Sequence, residues 1–179
     1  MEIGVYKGEF SEKLAAFGGE LYSVDPWLIY QEYGNSRGQK RLDEQCRQAT
    51  ERLSKYPNVT VVRKTSMEAL ADFEDESLDF VYIDGNHLFP YVAQDMYFWA
   101  SKIRTGGILC GHDYARFKSH TLLGACHAKQ IVDAYVQSFD VPNFWVLGEY
   151  KYKEGDKRDR WRSWMILKDY VTPKHRVDN

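Results

Sequence analysis

Short apolar segments rich in β-branched residues alternate with amphipathic helical segments along most of the chain. The strand-like segments are 1–5, 21–24, 59–62, 78–83 and 108–110. The helical segments between them are 11–17, 39–56, a short helix from Ser66, and 90–103, which Gly106 and Gly107 are expected to break. Such alternation predicts a parallel sheet with helices on both faces, a doubly wound Rossmann-like α/β fold.

The C-terminal part is predicted to depart from this alternation. A helix is expected over 121–138, followed by two strand-like segments, 144–147 and 164–167. The connection between them, 149–162, is highly charged and too short for a helical crossover. We therefore expect an antiparallel hairpin there, which brings the sheet to seven strands.

Length and composition restrict the class of protein. The 179 residues predict one domain, 1–179, with a short first strand that begins at Met1. A formal net charge of −2 disfavours nucleic acid as a partner, and no apolar run is long enough to span a membrane. No signal peptide is recognised, and three cysteines indicate neither a disulfide framework nor a zinc cluster. We expect a cytoplasmic protein, and association into a homo-oligomer stays open.

The first candidate site is the turn that follows the first strand. Ligands of doubly wound sheets bind beyond the carboxyl ends of the strands. Glycines in Glu2-Ile-Gly4-Val-Tyr6-Lys-Gly8, which lead to Ser11, would let a ligand approach the backbone closely. Their spacing differs from the G-x-G-x-x-G of nicotinamide and flavin binders. A turn that is merely tight is the alternative.

The ends of the second and third strands carry further candidates. Asp25 lies 21 residues after Gly4, where a carboxylate can accept both hydroxyls of a ribose, although a capping role before Pro26 is the alternative. Ser66 and Met67 would border an adenine, or else Ser66 is a helix N-cap and Met67 belongs to the core.

Acidic and imidazole groups follow the fourth and fifth strands. Asp84 and His87 follow the fourth strand, and His112 and Asp113 follow the fifth. Neighbouring strands are about 4.8 Å apart, so Asp84, His112 and Asp113 are expected to converge on a divalent cation such as Mg²⁺. Hydrogen-bonding turn residues are the alternative. Asp95, on the 90–103 helix, is predicted to face solvent or to cap.

Taken together, these residues resemble the class I S-adenosylmethionine-dependent methyltransferases over essentially the whole chain. Glu2 to Gly8 resembles the E-x-G-x-x-x-G cofactor motif, in a form close to the catechol-type branch. The segment from Asp79 to His87, followed by Asp95 and then by residues 106–114, is similar to bacterial and viral O-methyltransferases that act on sugars and macrolides. His112 departs from the acidic pair that closes the fifth strand in metal-dependent members.

The resemblance implies O-methylation of a hydroxyl on a small molecule or saccharide, assisted by Mg²⁺ or another divalent cation. It implies that Asp84 is catalytic and binds the metal with His112 and Asp113, and that His87 is the general base. The residues implied in binding S-adenosyl-L-methionine are Glu2, Gly4, Tyr6, Gly8, Ser11, Asp25, Ser66, Met67 and Asp84.

Two other classes of function stay open at this point. A nicotinamide-dependent oxidoreductase is disfavoured by the glycine spacing, whereas a non-catalytic cofactor-binding or scaffold protein of the same fold is the stronger rival. Relatives carry residues before the glycine motif that form a lid. Because Met1 lies inside the first strand, we expect either a missing N-terminal part or closure by a partner subunit or by the loop 27–38.

Overall fold

The computed structural model describes residues 1–30, 38–116, 125–149 and 161–170. The strands are β1 (Glu2–Ile3), β2 (Leu21–Val24), β3 (Val59–Val62), β4 (Leu78–Ile83), β5 (Ile103–Gly111), β6 (Phe144–Leu147) and β7 (Ser163–Leu167). The helices are α1 (Glu9–Ala15), α2 (Gln39–Leu53), α3 (Ser66–Ala69, continued by a 3-10 turn over Leu70–Asp72), α4 (Phe89–Lys102) and α5 (Ala128–Ser138).

All seven strands form one sheet in the order β3-β2-β1-β4-β5-β7-β6. The pairs from β3 to β5 are parallel, and β7 runs antiparallel to both β5 and β6. The predicted doubly wound sheet with an antiparallel C-terminal hairpin is therefore confirmed. The strand order reverses at β1, between β2 and β4, which is where such sheets open a crevice for ligands.

The core lies on the central strands. Val24, Val81 and Leu109 have no exposed surface, as expected for parallel strands covered on both faces. On α4, Met96 and Trp99 are also fully buried. Burial of apolar surface contributes about 25 cal/mol per Å². The core therefore stabilises the sheet that carries the candidate site residues at its strand ends.

The glycines at 106 and 107 lie inside a strand and do not terminate a helix. Helix α4 ends at Lys102 and the chain passes directly into β5, so the expected strand 108–110 is the second half of a longer one. The pairing with β4 shifts register between Leu78 and Phe80. A side chain at Gly107 would come within 2.5 Å of Ile103 Cγ2, so glycine is needed for this bulge.

The helix expected over 121–138 is shorter among the described residues. It begins at Ala128, and 125–127 are not helical, while 117–124 lie outside the described residues. His127 precedes the helix and its Nδ1 accepts a hydrogen bond from Phe89 N at 3.1 Å, which caps the start of α4. Most of the charged connection 149–162, namely 150–160, also lies outside the described residues. No helix in the described ranges is long and apolar enough to cross a membrane.

Candidate functional site

A cavity of about 480 Å³ opens at the carboxyl ends of β1, β2, β3 and β4. Its wall combines the turns after these strands with one face of α2 and one face of α4. Tyr30, after β2, and Tyr91, on α4, meet edge to face with ring centroids 5.0 Å apart, so the cavity is bounded by aromatic side chains. Of the predicted site residues, the cavity wall includes Gly4, Tyr6, Asp25, Ser66, Met67, Asp84 and His87.

Asp25 holds the turn after β1 against the turn after β2. Its Oδ2 accepts hydrogen bonds from Val5 N at 2.9 Å and Tyr6 N at 3.0 Å, and its Oδ1 accepts from Trp27 N at 2.8 Å. Tyr6 and Trp27 have φ values of 54° and 45°, which side chains disfavour and which these bonds help to fix. A carboxylate offers about four acceptor positions. Three backbone N–H groups already use most of these positions on Asp25, which the sequence analysis assigned to ribose hydroxyls.

The Asp25→Asn variant is expected to lose about 2–4 kcal/mol of unfolding free energy, because its NH₂ would face a backbone N–H. Urea unfolding measures the loss. Asp72→Asn, which breaks an exposed ion pair with Lys64, is the matched control and should change stability by less than about 0.5 kcal/mol. Equal stability of Asp25→Asn and the control would show that the hydrogen bonds of Asp25 do not hold the two turns together.

Three residues implied in cofactor binding lie outside the cavity wall. Glu2 is 1% exposed and accepts hydrogen bonds from the hydroxyls of Ser11 and Ser23, the second at 3.4 Å. Gly8 is the N-cap of α1 and packs against Leu53 of α2. Gly4 and Tyr6, in the middle of the glycine motif, thus line the cavity, whereas Glu2, Gly8 and Ser11 join β1 and α1 to their neighbours beneath it.

Burial raises the pKa of Glu2 from 4.5 to about 7, partly offset by the hydrogen bond from Ser11. The folded state therefore binds more protons than the unfolded state between these values, and this group's stabilising contribution is lost as pH rises toward 7. At pH 8 we expect Glu2→Gln to be more stable than the wild type by roughly 2–3 kcal/mol. The difference should shrink toward pH 5.

Urea unfolding of both proteins at pH 5 and pH 8 tests this prediction. Glu20→Gln, at an exposed position, serves as the control and should show no such pH-dependent difference. A Glu2→Gln variant that gains nothing at pH 8 relative to pH 5 would contradict the assignment of a buried, proton-sensitive carboxyl group.

Ser66 connects the turn after β3 to α4. Its hydroxyl accepts a hydrogen bond from Trp99 Nε1 at 2.7 Å and donates one to Asp95 Oδ1. The N-cap of α3 is Thr65, which forms a capping box with Glu68, and not Ser66 as the alternative interpretation held. Asp95 was expected to face solvent or to cap, but it is 4% exposed and lines the cavity. Burial raises its pKa to about 7.

Asp84, His87 and Asp113 converge next to the cavity. His87 Nε2 lies 2.8 Å from Asp113 Oδ2 and 4.0 Å from Asp84 Oδ1. One ligand atom from each residue lies within 4.8 Å of the other two, which is close enough for a shared metal ion. His112, which the sequence assigned to this set, is not part of it; its Nδ1 contacts Asp113 Oδ1 at 3.0 Å.

The carboxylates and the imidazole of this cluster stabilise each other's charged forms. Burial alone would lower the pKa of His87, but the hydrogen bond to Asp113 and the charges of Asp113 and Asp84 raise it above its usual value. Burial disfavours ionised Asp113, but hydrogen bonds from His112 and His87 hold the pKa of Asp113 well below its usual range. Asp113 also has a φ of 49°, an unfavourable backbone conformation of the kind found at functional sites.

Two polar residues of the cavity wall were not predicted to belong to the site: Asp95 was assigned to solvent or to a cap, and Gln45 was not considered. Asp95 lies four residues from both Tyr91 and Trp99, so it belongs to the buried face of α4. Gln45 lies between Leu42 and Ala49 on the buried face of α2, is 5% exposed, and its amide has no hydrogen-bond partner among the described residues. A polar residue at the helical spacing of an apolar face is the signal that would have found both.

Fold and site together define a doubly wound α/β protein with a cavity where the strand order reverses, the position at which sheets of this kind bind small ligands. Residues 1–114 match a family model described as a methyltransferase domain. This match covers more than half of the 179 residues, and the chain belongs to that methyltransferase-domain family. An uncharacterized protein of Sinorhizobium fredii is 38% identical over 53 residues, which are 30% of this chain and 6% of the Sinorhizobium protein.

Solved structures of methyltransferases share the fold. An S-adenosylmethionine-dependent O-methyltransferase from Thermotoga maritima has a TM-score of 0.61 at 15% identity; the match covers 98% of this chain and 60% of that one. An O-methyltransferase from Bacillus cereus in complex with S-adenosylhomocysteine gives 0.59 at 15% identity, covering 93% and 72%. The O-methyltransferase TomG from Streptomyces achromogenes, in complex with S-adenosylmethionine, gives 0.59 at 14% identity, covering 93% and 71%.

Proposed function

We propose that this protein transfers a methyl group from S-adenosylmethionine to a hydroxyl group of a small molecule or saccharide. The observation that carries the proposal is the contact of His87 with Asp113 beside a cavity at the strand-order reversal. The fold shared with O-methyltransferases, two of them bound to the methyl donor or its product, supports the same assignment.

The cavity suits an adenosyl ligand. Its wall brings together backbone at the β1 turn, carboxyl groups at the ends of β2 and β4, and the thioether of Met67 after β3. Apolar walls with a few convergent polar groups are typical of small-ligand sites. S-adenosylmethionine would supply the electrophilic methyl group there, so the protein has to orient the acceptor, exclude water and remove one proton.

We assign to His87 the role of general base, which removes the proton of the acceptor hydroxyl. The Asp113 carboxylate can only accept a hydrogen bond, so its 2.8 Å partner, His87 Nε2, carries a hydrogen. This tautomer leaves the Nδ1 lone pair of His87 available to an acceptor hydroxyl. When the oxygen attacks the methyl carbon, the methyl–sulfur bond would break and S-adenosylhomocysteine would leave; the hydroxyl proton would pass to Nδ1, and Asp113 would stabilise the resulting imidazolium.

A divalent cation is the second part of the proposal. Asp84, His87 and Asp113 present oxygen and nitrogen ligands that fit such an ion, with His87 in the place that the sequence gave to His112. When bound, a cation would lower the pKa of the acceptor hydroxyl. His87 Nε2 cannot bind the ion and donate to Asp113 at once, so addition of a chelator distinguishes the two arrangements. Loss of activity that Mg²⁺ or Mn²⁺ restores would favour the metal site.

Calorimetric titration of the protein with S-adenosylmethionine, S-adenosylhomocysteine and NADH tests the proposal. We expect binding of the first two and none of NADH. Turnover is then measured as release of S-adenosylhomocysteine with catechols, phenols and simple sugars as acceptors. Failure of both adenosyl compounds to bind would overturn the proposal, and binding without turnover on any acceptor would favour a non-catalytic, scaffold-like protein.

A further inference from the structure

The segment 126–129, which leads into α5, contacts the turn after β4 on one side and the turn after β5 on the other. The N–H of His127 donates a hydrogen bond to the carbonyl oxygen of His87 at 2.9 Å, and its imidazole Nδ1 accepts one from Phe89 N at 3.1 Å. Both partners of His127 therefore lie in the turn that carries the proposed general base, on either side of Leu88.

The same segment also binds the residues that follow β5. Lys129 N donates a hydrogen bond to Ala115 O at 3.2 Å. The Cys126 thiol, a weak donor, lies 3.5 Å from the same carbonyl oxygen and 3.6 Å from Asp113 O. One short segment therefore contacts both halves of the His87–Asp113 pair, whose nitrogen and oxygen are 2.8 Å apart.

His127 replaces the usual N-cap side chain at the start of α4. The first N–H groups of a helix have no acceptor within the helix, and an N-cap side chain commonly supplies one. Leu88 occupies the N-cap position of α4, and its side chain has no acceptor atom. The hydrogen of Phe89 N is therefore accepted by a side chain from the start of another helix, that of His127.

The two turns depend on the segment to different degrees. Asp113 has a φ of 49°, and such a backbone conformation persists only where its surroundings fix it. Its carbonyl oxygen accepts a hydrogen bond from Ala115 N at 2.5 Å and also contacts the Cys126 thiol. Neither contact involves the His127 side chain. Removal of this side chain would therefore loosen the turn that carries His87, while the turn that carries Asp113 keeps its own contacts.

We propose that His127 is a positioning residue for methyl transfer, which holds the turn after β4 so that the His87 imidazole meets the Asp113 carboxylate. This inference rests on the proposed function, since it concerns the general base of that reaction. His127 acts through His87 and is not part of the cavity wall, so its loss should leave donor binding unchanged. A shift of about 1 Å in a reacting group can lower a rate by about 100-fold.

The test compares His127→Ala with His127→Asn. The alanine variant offers no acceptor to Phe89 N. The Oδ1 of asparagine is as many bonds from Cα as the imidazole Nδ1 and can accept the same hydrogen. We expect His127→Ala to lower kcat by about 10- to 100-fold and to change the affinity for S-adenosylhomocysteine by less than about threefold. His127→Asn should keep kcat within about threefold of the wild type. Release of S-adenosylhomocysteine gives kcat, and calorimetry gives the affinity.

Asn58→Ala is the matched control. The Asn58 side chain also holds chain segments through backbone groups, since its Nδ2 donates to Ala15 O at 3.0 Å and to Gly19 O at 2.8 Å, but it does so at the amino ends of β2 and β3. Thermal unfolding should show that both alanine variants are folded, with Tm values a few degrees below that of the wild type. Only His127→Ala should lose kcat, because a capping role alone would lower stability and leave kcat unchanged.

A spectroscopic signature reports the position of His87 without turnover. The nitrogen chemical shifts of a neutral imidazole show which nitrogen carries the hydrogen, and the signals of His87 are those that disappear in His87→Ala. In the wild type and in His127→Asn the hydrogen should be on Nε2, because Asp113 accepts it. In His127→Ala we expect a mixture of the two tautomers.

The outcomes separate the inference from the proposed function. If the wild type turns over no acceptor, the proposed function fails and the inference fails with it. If the wild type is active and the folded His127→Ala variant keeps either the wild-type kcat or the single tautomer of His87, the inference alone is overturned. A loss of kcat in His127→Asn or in Asn58→Ala as large as that in His127→Ala would likewise overturn it.

Discussion

His87→Ala is expected to lower kcat for methyl transfer by about 10²- to 10⁴-fold, the usual contribution of a general base. His87 lines the cavity, and its Nε2 is held by Asp113 Oδ2 at 2.8 Å, so the imidazole has a fixed orientation in the cavity wall. Removing the imidazole leaves the acceptor proton without a recipient. Because the loss concerns the transition state, the affinity for S-adenosylhomocysteine should change by less than about threefold.

The measurement is release of S-adenosylhomocysteine with the best acceptor of the hydroxyl panel, at saturating donor. Asp113→Asn is the second variant; it retains the shape of the side chain but removes the negative charge opposite Nε2, and kcat should fall by about tenfold or more. Asp79→Asn, at the amino end of β4, is the control, because its exposed carboxylate pairs with Arg104 far along the strand from Asp84. Full activity of His87→Ala would remove this histidine from the mechanism.

The strand pattern predicted the sheet well because its physical cause is local. Strands such as Leu21–Val24 and Val59–Val62 are short β-branched or apolar runs bounded by turn residues, and the structure has them within the expected bounds. The ends of β5 and α5 were predicted less well. The bulge at Gly107 depends on its close approach to Ile103 and Asp79. The pattern of apolar and polar residues along the chain does not predict such a contact.

The site was predicted only where a residue's position on a strand decides its surroundings. Asp84 and Asp113 end neighbouring strands, so they had to come close. His112 is adjacent to Asp113 and contacts its Oδ1, but His87 is the histidine that joins the group, because the turn after β4 brings its Nε2 to Asp113 Oδ2. Asp95 was assigned to solvent because charged residues are rarely buried, yet its partner Ser66 lies 29 residues away in sequence.

Gly4→Ala is expected to destabilise the protein by about 3–5 kcal/mol, combining a disfavoured backbone conformation with overpacking. Gly4 has a φ of 92°, and a Cβ there would lie 2.2 Å from Asp84 O and 2.7 Å from Gly85 Cα. The carbonyl of Ile3 accepts a hydrogen bond from Asp84 N at 2.7 Å, so β1 and the end of β4 are held together at this point. A methyl group would have to push Asp84 away from His87 and Asp113.

The matched control for this variant is Gly18→Ala. Gly18 has a similar φ of 84°, but nothing lies within 4 Å of the Cβ position, so only the backbone cost of about 1–2 kcal/mol should be seen. Urea unfolding gives both values, and the excess loss in Gly4→Ala measures the close approach of β1 and β4. The same excess should appear as weaker binding of S-adenosylhomocysteine, because the displaced segment forms the cavity wall. Equal losses in the two variants would show that Gly4 serves the turn alone and does not position Asp84.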